Sequence, residues 1–256
     1  MRLAALMVCV ALVAGACSGT RDGAGSRPDL TGSRAVTFSS SDGVKLAGRL
    51  FPAEGGAEHP GVVLAHMLPA DQSSWYAFAG RLAGEGFTAL TFDFRGYCPG
   101  GDAGCSKGSK DVASIWQDVA GAASFLRTQP VSSVSLVGAS MGGTADLIAA
   151  GGASPPAGDV LAVITLSAPV SIEGLSATPE LMLSIQAGKL FVAALGDGVA
   201  ADAAQQLYDE ASPPKRVEIL PVDGHGSDLL TGPRGEEAQR LILTTLAQYT
   251  QPRPTP

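Results

Sequence analysis

Ser140 stands at the centre of a G-x-S-x-G motif that runs from Gly138 through Ala139, Ser140 and Met141 to Gly142. A β-branched apolar run precedes the motif and small residues follow it, which predicts a sharp turn from a strand into a helix. Such a turn exposes the hydroxyl and requires glycine where the two backbones crowd. The next amide, on Met141, is then free to face a developing oxyanion. The motif therefore predicts that Ser140 is a nucleophile in acyl-transfer chemistry.

A serine hydroxyl needs a base to remove its proton, and the chain has three histidines. His59 and His66 precede Ser140, so only His225 follows it. His225 comes shortly after the apolar run 217–222, where a loop can carry an imidazole over the carboxyl edge of a sheet. We therefore predict that His225 is the general base.

A carboxylate is needed to orient the imidazole and to stabilise the imidazolium. Asp197 follows the apolar run 189–195 and precedes a helical pattern, so it is our preferred acid. The same position also suits a helix N-cap. Glu173, which follows the apolar strand pattern at 160–166, is the rival acid.

Five segments together resemble the α/β-hydrolases of the dienelactone-hydrolase or serine-esterase type, over about residues 36–248. They are His66-Met67-Leu68, Asp93-Phe94-Arg95-Gly96-Tyr97-Cys98, Gly138 to Gly142, Asp197, and Asp223-Gly224-His225-Gly226. The order Ser, acid, His is that of the family. The resemblance implies a Ser140-His225-Asp197 triad, an oxyanion hole made by the amides of Met141 and Leu68, and no cofactor.

The chain departs from the family pattern at two places. Met67 replaces the usual glycine after His66, which leaves open whether Leu68 or Met67 supplies the second oxyanion amide. A loop with Cys98 and Cys105 replaces the usual glycine-serine turn after Tyr97. Neither departure affects the predicted triad.

Strand and helix patterns alternate along the chain and predict a mostly parallel sheet with helices on both faces. The resemblance implies that this sheet has the α/β-hydrolase fold. Predicted strands are 36–38, 44–51, 61–65, 87–92, 133–138, 160–166, 189–195 and 216–220, and predicted helices are 73–84, 111–128, 141–150, 199–211 and 234–249. The interval from Leu166 to Lys189 is too short for a large cap domain. We expect an open pocket walled by the loop after His66, the cysteine loop and residues 167–183. Asp71 and Tyr97 either line this pocket or serve as a helix cap and a surface aromatic.

The N-terminal segment predicts export. Arg2 precedes an apolar run at 3–13 that is too short to span a bilayer comfortably, and Cys17 follows small residues. This resembles a lipoprotein signal that is cleaved before a lipidated Cys17, while ordinary signal cleavage nearby is the alternative. The predicted organisation, in residue order, is a signal peptide at 1–16, a flexible tether at 17–33, one catalytic domain at 34–250 and a disordered tail at 251–256.

Cysteine use and charge agree with this location. Outside the reducing cytosol Cys98 and Cys105 are expected to form a disulfide, since a zinc site lacks a second cysteine pair or a nearby histidine. The net charge of −7 disfavours nucleic-acid binding. No metal site is predicted, and nothing in the sequence indicates an oligomeric state.

The residues thus predict an exported, membrane-anchored serine hydrolase of small-molecule carboxylic esters, located on the outer face of the membrane. Two alternatives remain open at this point. The same machinery serves thioester, lactone or peptide substrates, and a lipoprotein can reuse a hydrolase fold to bind a ligand or a partner without catalysis.

Overall fold

The computed structural model describes residues 29–55, 58–98, 104–152 and 159–250. The strands are β1 (Arg34–Ser39), β2 (Lys45–Phe51), β3 (His59–Ala65), β4 (Thr88–Phe92), β5 (Val131–Ala139), β6 (Ala162–Leu166), β7 (Ser171–Ile172), β8 (Leu175–Ser176), β9 (Gly188–Ala194) and β10 (Lys215–Leu220). Eight of them form one sheet in the order β1-β2-β4-β3-β5-β6-β9-β10, and β7 pairs with β8 in a separate hairpin.

The sheet is parallel from β4 to β10, while β1 and β2 join its other end antiparallel. Parallel strands are covered on both faces, so their sequences are continuous apolar runs. Residues 61–65 of β3 illustrate this, because every one of them is buried. The carboxyl ends of β3, β4, β5, β6, β9 and β10 therefore lie along one edge, where the predicted site residues follow them.

In the described ranges, six α-helices flank the sheet. They are α1 (Tyr76–Gly84), α2 (Ile115–Arg127), α3 (Met141–Gly151), α4 (Pro179–Ser184), α5 (Gly198–Glu210) and α6 (Gly235–Thr250). The apolar sides of α1 and α6 pack on one face of the sheet with the side chains of Val62 and Leu64. Helices α2 and α3 pack on the other face with Val63, and α5 extends that layer beside Phe191. The predicted helices on both faces of a mostly parallel sheet are confirmed.

The predicted elements begin and end within two residues of the observed ones, except for two helix starts. The helices predicted at 73–84 and 111–128 begin instead as 3-10 turns, at Gln72–Trp75 and Val112–Ser114, before α1 and α2 start. Between β6 and β9 the chain forms only the β7–β8 hairpin and α4, which the sequence analysis did not predict. Glu173 and Gly174 turn this hairpin with φ of 43° and 92°.

The disulfide between Cys98 and Cys105 is present, as predicted. The predicted signal peptide, Cys17 and the tail 251–256 lie outside the described residues. Residues 29–33, which the sequence assigned to the tether, contact the domain: Leu30 packs against the core beside α1, and Ser33 donates to its carbonyl oxygen at 2.6 Å. Within the described ranges, no helix has the length and apolar character needed to cross a membrane.

Candidate active site

Ser140 occupies the turn between β5 and α3. Its backbone has φ 49° and ψ −121°, which few residues other than glycine adopt, and its amide donates to the carbonyl of Leu166 on the neighbouring strand at 2.8 Å. Ser140 is 8% exposed. A residue held in such a conformation by its surroundings is typical of a functional turn.

The glycines of the motif are required by close backbone contacts. A Cβ atom on Gly142 would lie 2.6 Å from the carbonyl oxygens of Ala65 and His66, at the end of β3. A Cβ atom on Gly138 would lie 2.5 Å from the carbonyl carbon of Gly142 and from Oδ2 of Asp146. Helix α3 therefore enters close against β3 and β5, which fixes the turn that carries Ser140.

Asp146 lies behind this turn, on the side of α3 that faces the sheet. It is completely buried, and its carboxyl oxygens have no hydrogen-bond partner among the described residues. Burial raises the pKa of this carboxyl well above its ordinary value. The sequence analysis did not single out Asp146, because a charged residue in a helix of this length more often faces solvent.

The structure brings Asp197 and His225 together. Asp197 Oδ2 lies 2.5 Å from Nδ1 of His225, while its other oxygen, Oδ1, accepts from the amide of Ala200 at 3.3 Å as the N-cap of α5. The two roles considered for this aspartate are thus filled by its two oxygens. Because a carboxylate only accepts, Nδ1 of His225 donates this hydrogen bond, and Nε2 is then the acceptor of the neutral ring.

His225 reaches the same edge of the sheet as Ser140. The 3-10 turn Gly226–Leu230 begins directly after it. Gly226 has φ 57°, and a Cβ atom there would clash with Met67 Sδ and lie 3.3 Å from Cβ of Ala139. The residue after the histidine therefore packs against the residue before the serine.

Glu173, the rival acid, lies in a different part of the site. It forms the β7–β8 turn with Gly174, which packs against Ala113 at the start of α2. Burial, together with the nearby charge of Glu173, raises the pKa of Tyr97. The charge of Glu173 therefore acts on Tyr97, whereas His225 is hydrogen bonded to Asp197.

His66 is completely buried and holds the loop after β3. The amide of Phe94 donates to Nε2 at 3.2 Å, so Nδ1 carries the proton and donates to the carbonyl of Met67 at 3.0 Å. Burial lowers the pKa of His66 to about 4, which keeps the ring neutral. The Met67 carbonyl and the Leu68 amide belong to one planar peptide, so this bond also orients the amide of Leu68.

The loops after β3 and β4 are joined by a second buried contact. Asp93 accepts from the amide of Gln72 at 2.9 Å and from its side-chain nitrogen at 2.5 Å. Burial raises the pKa of Asp93 to about 6. Asp71, the residue before Gln72, accepts from the amide of Ser73 at 2.8 Å and so caps the turn before α1. Of the two roles considered for Asp71, the structure shows the helix cap.

Tyr97 is buried, not a surface aromatic. Its ring packs edge-on against His66 at 4.7 Å, and the Lys110 ammonium lies 4.1 Å from the ring centroid. Tyr97 and Met141 belong to one apolar cluster, against which Leu68 and Ile172 pack. The three expected pocket walls therefore meet in this cluster beside the serine turn.

Arg95 supports the loop that carries Tyr97 and the disulfide. Its guanidinium donates to Asp118 on α2, at 3.0 and 2.7 Å, and to both oxygens of Asp42, at 2.9 and 2.8 Å. Asp118 is fully buried, so the ion pair is largely shielded from solvent. The loop after β4 is thus tied to α2 and to the β1–β2 turn. In the part of the chain described by the structure, no three His, Cys, Asp or Glu side chains cluster in a way that would hold a metal ion.

Comparison with known proteins identifies the family. The family model for alpha/beta hydrolases matches residues 62–254, which is more than half of the 256-residue chain. The chain belongs to the alpha/beta hydrolase family. This confirms the α/β-hydrolase membership that the motifs implied and the predicted fold class.

Solved structures of other proteins show the same fold. The esterase Pf2001 of Pyrococcus furiosus superposes with a TM-score of 0.68 at 17% identity, covering 86% of this chain and 91% of its own. A dienelactone hydrolase of Anabaena variabilis superposes with a TM-score of 0.67 at 20% identity, covering 86% of this chain and 98% of its own. In sequence, the chain is 29% identical over 242 residues to the uncharacterized protein Rv2307c of Mycobacterium tuberculosis, covering 87% of this chain and 83% of the relative. The membership supports a hydrolase as the broad class of activity.

Proposed function

We propose that this alpha/beta hydrolase is an exported serine hydrolase of carboxylic esters. Ser140 Oγ attacks the ester carbonyl, and Nε2 of His225 takes the hydroxyl proton. Asp197 accepts from Nδ1 and stabilises the imidazolium that results. The imidazolium then protonates the leaving alcohol. Water attacks the acyl-enzyme with His225 again as base, which releases the acid and restores Ser140.

The hydrogen bond between Asp197 and His225 is the observation that carries this proposal. It joins two residues 28 positions apart, each at the carboxyl end of a different strand. A structural N-cap needs only one carboxyl oxygen, and Oδ1 already fills that role. The second oxygen fixes the histidine tautomer that a general base requires.

The oxyanion in this proposal is stabilised by two backbone amides. Met141 begins α3, so its amide lies at a helix N-terminus, where negative charge is favoured. The second donor is the amide of Leu68, because His66 fixes the Met67 carbonyl and the Leu68 amide points the opposite way across the same peptide. Met67 instead packs against Gly226.

Export and membrane anchoring are a second part of the proposal. The apolar run at 3–13 and the small residues before Cys17 support a lipoprotein signal. The disulfide between Cys98 and Cys105 supports an oxidising compartment. The catalytic domain then acts on esters outside the cell membrane, tethered by its N-terminal segment.

Labelling with a fluorophosphonate probe tests the nucleophile. The wild type and Ser167→Ala are expected to be labelled, whereas Ser140→Ala is not. Ser167 is a matched control, since it is also buried, follows a strand at the same sheet edge and has a positive φ of 54°. Undiminished labelling of Ser140→Ala would rule out Ser140 as the nucleophile.

A panel of p-nitrophenyl esters of different acyl lengths tests the substrate class. Turnover of at least one ester, lost in Ser140→Ala, supports ester hydrolysis. A complete absence of turnover across the panel, with probe labelling retained, contradicts the ester assignment and directs attention to thioester, lactone or peptide substrates. Absence of both turnover and labelling contradicts catalysis and favours a binding protein.

A further inference from the structure

Strand β10 leaves one edge of the sheet open. Among the described residues it pairs with β9 alone. The carbonyl oxygens of Pro214 and Leu220 accept from amides of the β9 segment at 3.1 and 2.8 Å, so residues of even number face β9. Because successive peptide groups alternate along a strand, residues of odd number direct their amides and carbonyls away from the sheet. These outward-facing residues are Lys215, Val217 and Ile219.

The open edge lacks the usual protection against pairing. Lysine often blocks an edge, but the Lys215 ammonium turns back to α5, where it donates to the carbonyls of Tyr208 and Asp209 at 2.7 and 3.2 Å. The strand contains no proline. Its two charged residues that remain, Arg216 and Glu218, have opposite signs and form an ion pair at 2.9 Å. Apart from Lys215, whose ammonium is held at α5, the charges of the strand therefore cancel.

The sequence of β10 is complementary to itself in one antiparallel register. When Val217 lies opposite the partner's Val217, the two exchange both backbone hydrogen bonds, and Lys215 pairs in the same way with the partner's Ile219. Arg216 then lies opposite the partner's Glu218, and Glu218 lies opposite the partner's Arg216. These are the narrow, non-hydrogen-bonded pairs, in which facing side chains are closest.

Neighbouring registers are disfavoured by charge. A shift by two residues in one direction places Arg216 opposite the partner's Arg216. A shift by two residues in the other direction places Glu218 opposite the partner's Glu218. A shift by one residue would place an outward-facing residue opposite a partner residue that faces its own β9. The backbone hydrogen bonds between the two edges would then be lost. Only the register centred on Val217 combines complete edge pairing with opposite charges.

We propose that the β10 edge binds the β10 edge of a second copy of this chain, so that two eight-stranded sheets become continuous across a twofold axis. A groove of about 480 Å³ runs beside the edge, and the partly buried Leu241 on α6 supplies apolar contact there. The other lining residues are Arg216, Glu237, Arg240 and Thr244. The two sheets run antiparallel, so the carboxyl edges that carry the candidate active sites point in opposite directions and stay open.

A charge swap tests this interface through sedimentation velocity of the full-length chain, kept in a mild detergent because of its apolar N-terminal run. The wild type is expected to sediment as a dimer at micromolar concentration. Arg216→Glu and Glu218→Arg, made singly, each place like charges opposite one another twice, so each is expected to weaken the dimer by about tenfold or more. The double variant restores opposite charges and is expected to restore the dimer.

Glu85→Arg, an exposed reversal at the end of α1, is the control and is expected to leave the dimer unchanged. A wild type that is monomeric at these concentrations overturns the proposal. A dimer that persists in both single variants also overturns the proposal. Association through the apolar N-terminal run would give that result, because none of these changes alters that run. A double variant that stays monomeric overturns the register. Ester hydrolysis is not a readout in this experiment, so its outcome is separate from that of the proposed function.

Discussion

Asp197 shows how one side chain serves both folding and the proposed chemistry. Asp197→Asn keeps an efficient N-cap for α5, so the free energy of unfolding is expected to change by less than about 1 kcal/mol. The amide cannot hold the same histidine tautomer, so kcat for ester hydrolysis is expected to fall by about 10³ to 10⁴. Hydrolysis rates and urea unfolding of the purified variant measure the two effects separately.

Two substitutions of other carboxylates serve as controls for Asp197→Asn. Asp202→Asn alters an exposed aspartate on the same helix, and Glu173→Gln alters the rival acid beside Tyr97. Both are expected to retain wild-type kcat within about a factor of three, because neither contacts His225. If Asp197→Asn stays active while Glu173→Gln does not, the acid is Glu173.

His66 acts through a neighbouring peptide instead of contacting substrate. His66→Ala removes the hydrogen bond to the Met67 carbonyl, so kcat is expected to fall by about 10- to 100-fold with little change in KM, because the Leu68 amide loses its orientation. His66 stays neutral above a pKa of about 4, so the pH profile of the residual activity keeps its shape. Steady-state kinetics from pH 5 to 9 tests both statements.

His59→Ala is the matched change for this positioning role. His59 begins β3, at the sheet edge opposite the candidate site. Its replacement is expected to leave kcat and KM as in the wild type. A large rise in KM for His66→Ala, with kcat preserved, would instead indicate that His66 supports substrate binding.

At the scale of elements, the site depends on loops that hold one another. Asp93 follows β4 and accepts two hydrogen bonds from Gln72, in the turn before α1, while Arg95 ties the same loop to α2. Neither contact involves a residue of the proposed triad. Rigid loops of this kind are what a preorganised oxyanion hole requires.

Asp93 gives this loop contact a pH dependence. Its pKa is raised to about 6 in the folded chain from 3.8, so its contribution to stability is complete below about pH 4 and is lost as the pH rises through 6. Relative to Asp93→Asn, which does not titrate, the wild type is therefore expected to lose about 2–3 kcal/mol of unfolding free energy between pH 4 and 7. Urea unfolding of both proteins across this range measures the difference.

A comparison with an exposed aspartate separates this effect from general charge repulsion. Asp202→Asn removes the same charge at an exposed position, so its difference in stability from the wild type is the reference at each pH. If the difference for Asp93→Asn varies with pH no more than this reference, the raised pKa of Asp93 is wrong.

Across the whole molecule, the features that are local in sequence were predictable. The turn at Ser140, the long apolar strands and the order of Ser140, Asp197 and His225 all follow from periodicity and motif spacing. The fold class followed from the alternation of these elements. The need for glycine at positions 138 and 142 was also predictable, because the G-x-S-x-G motif fixes the backbone around them.

Features that depend on distant contacts or very short elements were not predictable in the same way. The β7–β8 strands have two residues each, too few for an alternating pattern. Helix α4 has six residues, too few to show a helical period; Thr178 caps its N-terminus and Pro179 occupies its first position. The bonds of His66 and Asp93 join loops that only the sheet order brings together, so no spacing in the sequence encodes them.

In our proposal the N-terminal segment anchors the whole chain to the membrane, and Cys17 is the residue that carries the lipid. Cys17→Ser removes the thiol that lipid attachment requires, so the chain is expected to leave the detergent phase of a Triton X-114 extract, where the wild type is found. Cys9→Ser is the matched control, because Cys9 lies within the apolar run and is removed with a cleaved signal. If Cys17→Ser partitions like the wild type, the chain is held at the membrane by an uncleaved apolar segment, and the lipoprotein assignment is wrong.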